Sequence, residues 1–198
     1  MLTVDPIELG NPKAHHYLLG AVGPRPICFA STIDSAGNRN LAPFSFFNVF
    51  SSNPPVAIFS PSRSGRTGKQ KDTYNNIKEV PEVVINLVNY SMVEQMSLSS
   101  SPYQSNVDEF LKSGLTPLES ESVRPSRVKE SPVQMECDVF NVMELGENGG
   151  AGNLIMCKIK KIHIQENILD TKIDNQQQRL ELLKRSNLDQ EKKDMWDD

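Results

Sequence analysis

The sequence has no long apolar run, one tryptophan in 198 residues and only three cysteines. Each scarcity excludes a class of protein. No stretch approaches the ~20 apolar residues that a membrane-spanning helix requires. The N-terminus, MLTVDPIELG, has no positive segment ahead of an apolar core, so a cytoplasmic protein without a signal peptide is expected. Cys28, Cys137 and Cys157 are odd in number, far apart and without CxxC spacing, which argues against a disulfide framework and against zinc. Each stands among apolar residues and reads as a small buried hydrophobe. Excess positive charge is missing too: 21 Lys and Arg against 25 Asp and Glu give a net charge of −4. That leaves no basic face to neutralise a run of nucleic-acid phosphates. No GxGxxG follows a strand, so no separate nicotinamide domain is encoded. The string Gly65-Arg66-Thr67-Gly68-Lys69-Gln70 has too few residues between its glycines for a Walker A loop and lacks the hydroxyl residue after lysine. Neither GxSxG nor HExxH occurs.

What is present is a stretch from Gly23 to Lys71 that suits a planar, phosphorylated cofactor. Two strand-like runs, Ile27 to Ile33 and Val56 to Ser60, flank a segment where Phe44, Phe46 and Phe47 stand beside Ser45 and Asn48. These offer a flat aromatic surface and amide groups for the polar edge of a ring. Ser60, Ser62, Arg63, Ser64, Arg66, Thr67, Lys69 and Lys71 follow as a cationic, hydroxyl-rich island in an acidic chain. Arg presents a planar fork to phosphate oxygens, and Gly65 and Gly68 let backbone N–H groups approach an anion. Asp72 or Thr73 can cap a helix over Tyr74 to Glu79, stopped by Pro81. A helix N-terminus beside that loop adds its N–H groups and dipole to anion binding.

The remaining chain fits one domain. Asn11 as cap, Pro12 in the first turn and Gly20 as stop predict a helix over Lys13 to Leu19. Its adjacent His15 and His16 point about 100° apart and make a poor metal pair. Ile27 to Ile33 alternates as a strand, Asp34 to Asn38 supplies turn chemistry, and Arg39 to Ala42 returns as the hairpin partner. Pro43 is expected to end regular pairing and free the segment after it. Val83 to Val88 reads as a strand, and Ser91 opens a helix whose Met92, Val93 and Met96 face the core. Ser97 to Ser105 reads as loop, and Asn106 caps a helix over Val107 to Ser113 with Gly114 at its end. Val133 to Leu145 and Leu154 to Ile164 form a long hairpin across Gly146 to Gly152. Val133, Met135, Cys137 and Val139 point inward, Gln134, Glu136 and Asp138 outward, and His163 into solvent. The alternation slips at Lys160-Lys161, which predicts a β-bulge. From Thr171 the composition turns to Gln, Glu, Lys, Asp and Leu, with a weak stripe at Leu180, Leu183 and Leu188. The expected architecture is mainly β: a small closed or split Greek-key barrel with short inserted helices over residues 1–170, then a helical or flexible tail over 171–198.

The strings PRPICFASTID, NLAPFSFFNVFSSNPP and KDTYNNI, followed in order by VDEF, GLTP, VRPSRVKESPVQMEC and GGAGNLI, resemble the flavin reductase-like family over residues 20 to 170. The resemblance implies an FMN-binding split β-barrel that pairs as a homodimer with FMN at the interface. It implies an oxidoreductase that passes hydride between NADH or NADPH and the flavin N5. By the same resemblance, Thr32, Ser45, Phe46, Phe47 and Asn48 line the ring and ribityl chain. Ser60, Arg66, Lys71, Asp72 and Thr73 surround the phosphate and helix start, and Asn86 borders the ring. The run from Ser97 to Ser105 then lies near the cofactor mouth. No residue is assigned as catalytic and none as a metal ligand. Many relatives end in a segment of the form Arg-x-Gly-Gly-x-Tyr, which is missing here, so the specificity contacts of that segment are open. The alternative is a flavin-binding electron carrier that docks a protein partner through its acidic tail without nicotinamide turnover. A flavin-free ligand-binding barrel is a third reading.

Overall fold

The computed structural model describes residues 1–169. The tail expected from Thr171 onward lies outside the described residues. The strands are β1 (Cys28–Ile33), β2 (Arg39–Phe44), β3 (Phe47–Ser52), β4 (Pro55–Phe59), β5 (Glu82–Leu87), β6 (Pro117–Leu118), β7 (Arg127–Val128), β8 (Val133–Glu144) and β9 (Asn153–Ile164). The helices are α1 (Pro6–Leu9), α2 (Lys13–Ala21), α3 (Asp72–Glu79), α4 (Val93–Ser99) and α5 (Glu109–Ser113). Seven strands form one sheet in the order β2-β1-β5-β8-β9-β4-β3, and β6 pairs with β7 alone. Every pairing is antiparallel.

The two edges of the sheet, β2 and β3, are consecutive in the chain. Only Ser45 and Phe46 separate them, and three Cα steps span at most about 11 Å. The sheet must therefore curl until its edges meet at this link, which makes a barrel with one split side. Across the split, Phe44 of β2 stacks on Phe59 of β4 with ring centroids 5.6 Å apart. Proline in β2 is tolerated because that strand is an edge: Pro43 faces Phe29 on one side only, so its missing N–H is not required. The expected break at Pro43 is corrected accordingly. Pairing runs on to Phe44, and β3 resumes it at Phe47.

The strands' alternation divides the apolar residues between two cores. Inside the barrel lie Cys28, Ala30, Phe59, Val83, Ile85, Cys137, Ile155 and Cys157, plugged by Tyr74 and Ile77 of α3. Outside it, Phe29 and Leu41 meet Met92, Phe110, Leu115 and Val128 under α4 and α5. The β1-β2 turn is closed by Asp34, whose Oδ1 accepts the Asn38 N–H at 2.8 Å. The predicted bulge is present. Glu136 pairs with Lys161 and Cys137 with Ile159, so Lys160 is the extra residue.

Several expectations fail for identifiable reasons. Asn11 does not cap α2: its side chain donates to the Gly149 carbonyl at 3.1 Å, and the helix continues past Gly20 to Ala21. Helix α4 extends through Ser97 to Ser99, which the sequence places in loop. Asp108, not Asn106, caps α5, accepting the Phe110 N–H at 2.9 Å. Val93 is 40% exposed while Met92 is buried. Gln134 and Glu136 are buried rather than outward, because the segment carrying β6 and β7 folds across that face of β8. His163, expected in solvent, lies 2.8 Å from Glu136 instead.

All three cysteines are fully buried in the barrel core. Burial pushes their thiols up, Cys137 to about 12. The thiolate is the reactive form. Ellman's reagent at pH 8 is therefore expected to find no accessible thiol in the native protein and three after denaturation. One thiol reacting rapidly in the native state would contradict this packing.

Candidate functional site

A cleft of ≈ 1000 Å³ opens where the barrel is split. Its aromatic wall is Phe44 and Phe46 from the link between β2 and β3. Helix α2 leans over this wall, with the His15 ring edge-on to Phe46 at 6.1 Å. The rest of its lining comes from the loop after β4, the start of α3 and residues 99–103.

That loop is held by three clamps. Asn153, fully buried at the start of β9, donates to Pro61 O at 2.8 Å and forms a reciprocal amide pair with Gln70, at 2.8 and 3.2 Å. Arg63 forms an ion pair with Glu144 at 2.8 Å, and the Tyr74 hydroxyl donates to the other Glu144 oxygen at 2.5 Å. These two bonds, Tyr74 first, hold the Glu144 carboxyl below its ordinary range. The third clamp is the glycine turn between β8 and β9. A Cβ on Gly149 would meet Ser64 O at 2.9 Å, and Gly150 has φ +88° against the Asn11 amide. Only glycine allows that turn so near the loop backbone. Gly68 serves the loop's own turn, with φ +70° and its N–H on Ser64 O at 2.8 Å. It is not offered to an anion.

What remains free is a compact donor set. Arg66 and Lys71 are exposed and form no ion pair among the described residues. Lys71 precedes α3 in extended conformation, and its carbonyl accepts the first helical bonds, from Tyr74 and Asn75. The N–H groups of Asp72 and Thr73 have no acceptor among the described residues. Two cations and two helix N–H groups at one end of a cleft fit a phosphate dianion. The aromatic residues of the same cleft fit a flat ring.

Of the residues expected at the site, Ser45, Phe46, Ser60, Arg66, Lys71, Asp72 and Thr73 line this cleft. Thr32 lies beneath it, fully buried, where its hydroxyl accepts from Asn40 at 3.3 Å and Asn76 at 3.2 Å. Asn40 also donates to Thr73 at 2.9 Å, so Thr32 and Asn40 position the start of α3. Asn86 is fully buried away from the cleft and ties β5 to β7, accepting the Val128 N–H at 2.9 Å. Phe47 packs on the barrel core, and Asn48 is exposed on β3 with its Oδ1 on the Val49 N–H at 2.8 Å.

Asn11, His15, Gln70, Glu109 and Gly150 line the cleft without having been singled out for it. His15 sits on α2 and Asn11 just before it, and the place of this helix over the barrel has no local signal. Glu109 is 8% exposed, and its Oε2 accepts the Leu41 N–H at 3.0 Å. Burial pushes this carboxyl up, the Leu41 bond opposes that, and Asp72 and Asp108 nearby add to the rise.

Comparison with known proteins agrees with this fold. Residues 21–182 match the flavin reductase like domain family. An uncharacterised protein of Aquifex aeolicus is 36% identical over 163 residues, 81% of this chain and 82% of its own. The crystal structure of nitrilotriacetate monooxygenase component B from Bacillus cereus is 31% identical with a TM-score of 0.81, covering 86% of this chain and 85% of that one. A split-barrel protein from Shewanella frigidimarina is 26% identical with a TM-score of 0.71, covering 84% of this chain and 80% of that one. The match over most of the chain and the fold shared with these structures agree, and the chain belongs to the flavin reductase like domain family.

Proposed function

We propose that this protein binds FMN in the cleft and works as an NADH- or NADPH-dependent oxidoreductase of the flavin reductase type. The observation that carries the reading is the pairing of Phe44 and Phe46 with the free donor set of Arg66, Lys71 and the Asp72 and Thr73 N–H groups. In this reading Phe46, Ser45 and His15 flank the ring, while Ser60, Arg66, Lys71 and Thr73 hold the phosphate. Bound flavin supplies the hydride-accepting centre at N5. The chain's own part is to orient the ring against Phe46, neutralise the phosphate and shield one side of the cleft with α2. Thr32 from below and Asn40 in the cleft wall fix the start of α3.

A second copy of the chain completes the site. Edge strand β3 leaves Val49 and Phe50 51% and 66% exposed beside Asn48. An apolar edge of this kind is covered in a stable protein, and a homodimer covers it while bringing Asn48 against the partner. The reducing cytoplasm suits the three free thiols.

Anaerobic absorbance tests the reading. Purified protein given FMN is expected to retain flavin bands through gel filtration and to lose them on addition of NADH or NADPH. Bands that persist with both nicotinamides would leave the cofactor in place but remove the reductase in favour of an electron carrier. Failure to retain FMN would remove both.

A further inference from the structure

Glu109 is the one acid of the cleft that the proposed function leaves without a role. It is 8% exposed and lines the cleft at the end where α3 begins. The placement follows from two bonds: Leu41 N–H holds Glu109, and the preceding residue, Asn40, holds Thr73. Of the other described residues, only Leu41 donates to the carboxyl, at Oε2. No hydrogen-bond donor of another described residue reaches Oε1.

Among the described residues no cation pairs with this group either. Arg39 of β2 is taken by Asp108, at 2.7 Å. Lys71 and Asp72 line the same cleft, and Asp72 accepts from Ser105 at 2.9 Å. Glu94, the ionisable residue of α4, which packs on α5, is exposed. Oε1 is not among the buried unpartnered atoms and so opens to the cleft, where a dianion placed beside the carboxylate would disfavour its charged form. Protonated, the same group turns from repelling an anion to donating to it.

Resting on the flavin reading above, we propose that Glu109 is a ligand-contacting residue, taken up as the neutral acid, whose Oε1 hydroxyl donates to the phosphate of the bound cofactor. The cleft then binds a phosphorylated flavin together with one proton. Burial already pushes Glu109 up in the free protein, the same direction as this uptake. The sign follows from linkage. A group whose pKa rises on binding strengthens binding at low pH and weakens it as pH rises through the free-state value, by up to about tenfold per pH unit for one proton.

The experiment is titration of the whole protein with FMN between about pH 5 and pH 8, in wild type and Glu109→Gln, with calorimetry in two buffers of different ionisation enthalpy. Glutamine keeps the acceptor for Leu41 N–H and mimics the neutral acid. The phosphate of FMN titrates near pH 6, equally for both proteins, so their difference isolates residue 109. The ratio of wild-type to variant Kd is expected to rise at least about fivefold across the range, and wild type to take up more protons on binding than the variant. Riboflavin, which has no phosphate, is expected to show no such divergence. Parallel pH profiles with FMN would overturn the inference while leaving FMN binding intact. The same divergence with riboflavin would overturn the phosphate contact. If neither protein binds FMN at any pH, the flavin reading falls and this inference with it.

Discussion

Replacing Glu136 by alanine is expected to destabilise the protein by about 3–5 kcal/mol, the range for breaking a buried ion pair from one side. The carboxylate has no solvent exposure. It accepts the Glu121 N–H at 2.9 Å, the Ser122 N–H at 2.7 Å and the Ser122 hydroxyl at 2.5 Å, with His163 Nε2 at 2.8 Å and Arg127 Nε at 3.8 Å. Truncation strips two backbone donors and the Ser122 hydroxyl of their acceptor at once and removes the carboxylate beside a guanidinium 12% exposed. For a chain of this size the melting temperature should fall by roughly 2–4 °C per kcal/mol. Urea denaturation measures the loss directly, and one below about 1 kcal/mol, the worth of an ordinary single hydrogen bond, would refute the account. The same group sets an acid limit. Burial alone would push it up, but the bonds from Ser122, Glu121 and His163 outweigh that and lower it from 4.5 to about 2. A carboxyl lowered on folding stabilises fully above its unfolded value, so the contribution is complete above pH 4.5 and fades as pH falls towards 2. It amounts to roughly 3 kcal/mol, and Glu136→Gln should flatten that part of the acid-unfolding curve.

Glu136 also marks what the sequence could not disclose. Period-two alternation along β8 assigns Glu136 to the face opposite Cys137, which is correct. Whether that face is wet depends on a segment some fifteen residues upstream, whose Ser122 and Arg127 reach Glu136 only through tertiary folding. Local signals succeeded where the cause is local. Asp34 to Asn38 closes a hairpin by its own hydrogen bonds, and the Lys160 bulge follows from a slip in the strand's own alternation. Pro43 misled because its effect depends on whether β2 is central or at an edge. At the site, Lys71, Asp72 and Thr73 were legible because a helix start beside cations is contiguous in the chain. Asn153 and Glu109 were not. Their importance comes from partners at Pro61, Gln70 and Leu41, far away in sequence, and nothing in an isolated asparagine or glutamate distinguishes them from surface residues.

The other large effect is expected at the cationic end of the cleft. Removing both side chains, as Arg66→Ala with Lys71→Ala, should weaken FMN binding by about two charge-assisted hydrogen bonds, each ~1.5 to 3 kcal/mol. Both cations are exposed in the free cleft, so solvent screening favours the lower end of that range, and the expected rise in Kd is on the order of a hundredfold to a thousandfold. Binding should not vanish, because the Asp72 and Thr73 N–H groups belong to the backbone of α3 and survive the substitution. The variant's Kd should also depend less on salt, since fewer charges remain to be screened. Riboflavin provides the internal control. It meets Phe44 and Phe46 but brings no phosphate, so its affinity should be the same in both proteins within about twofold, well under the 1.4 kcal/mol that a tenfold change represents. Equal losses for FMN and riboflavin would mean that the substitutions collapse the loop rather than remove charge. An unchanged FMN Kd would mean that the phosphate is held elsewhere, and the polarity assigned to the cleft, ring at the β2-β3 link and anion at the start of α3, would have to be reversed.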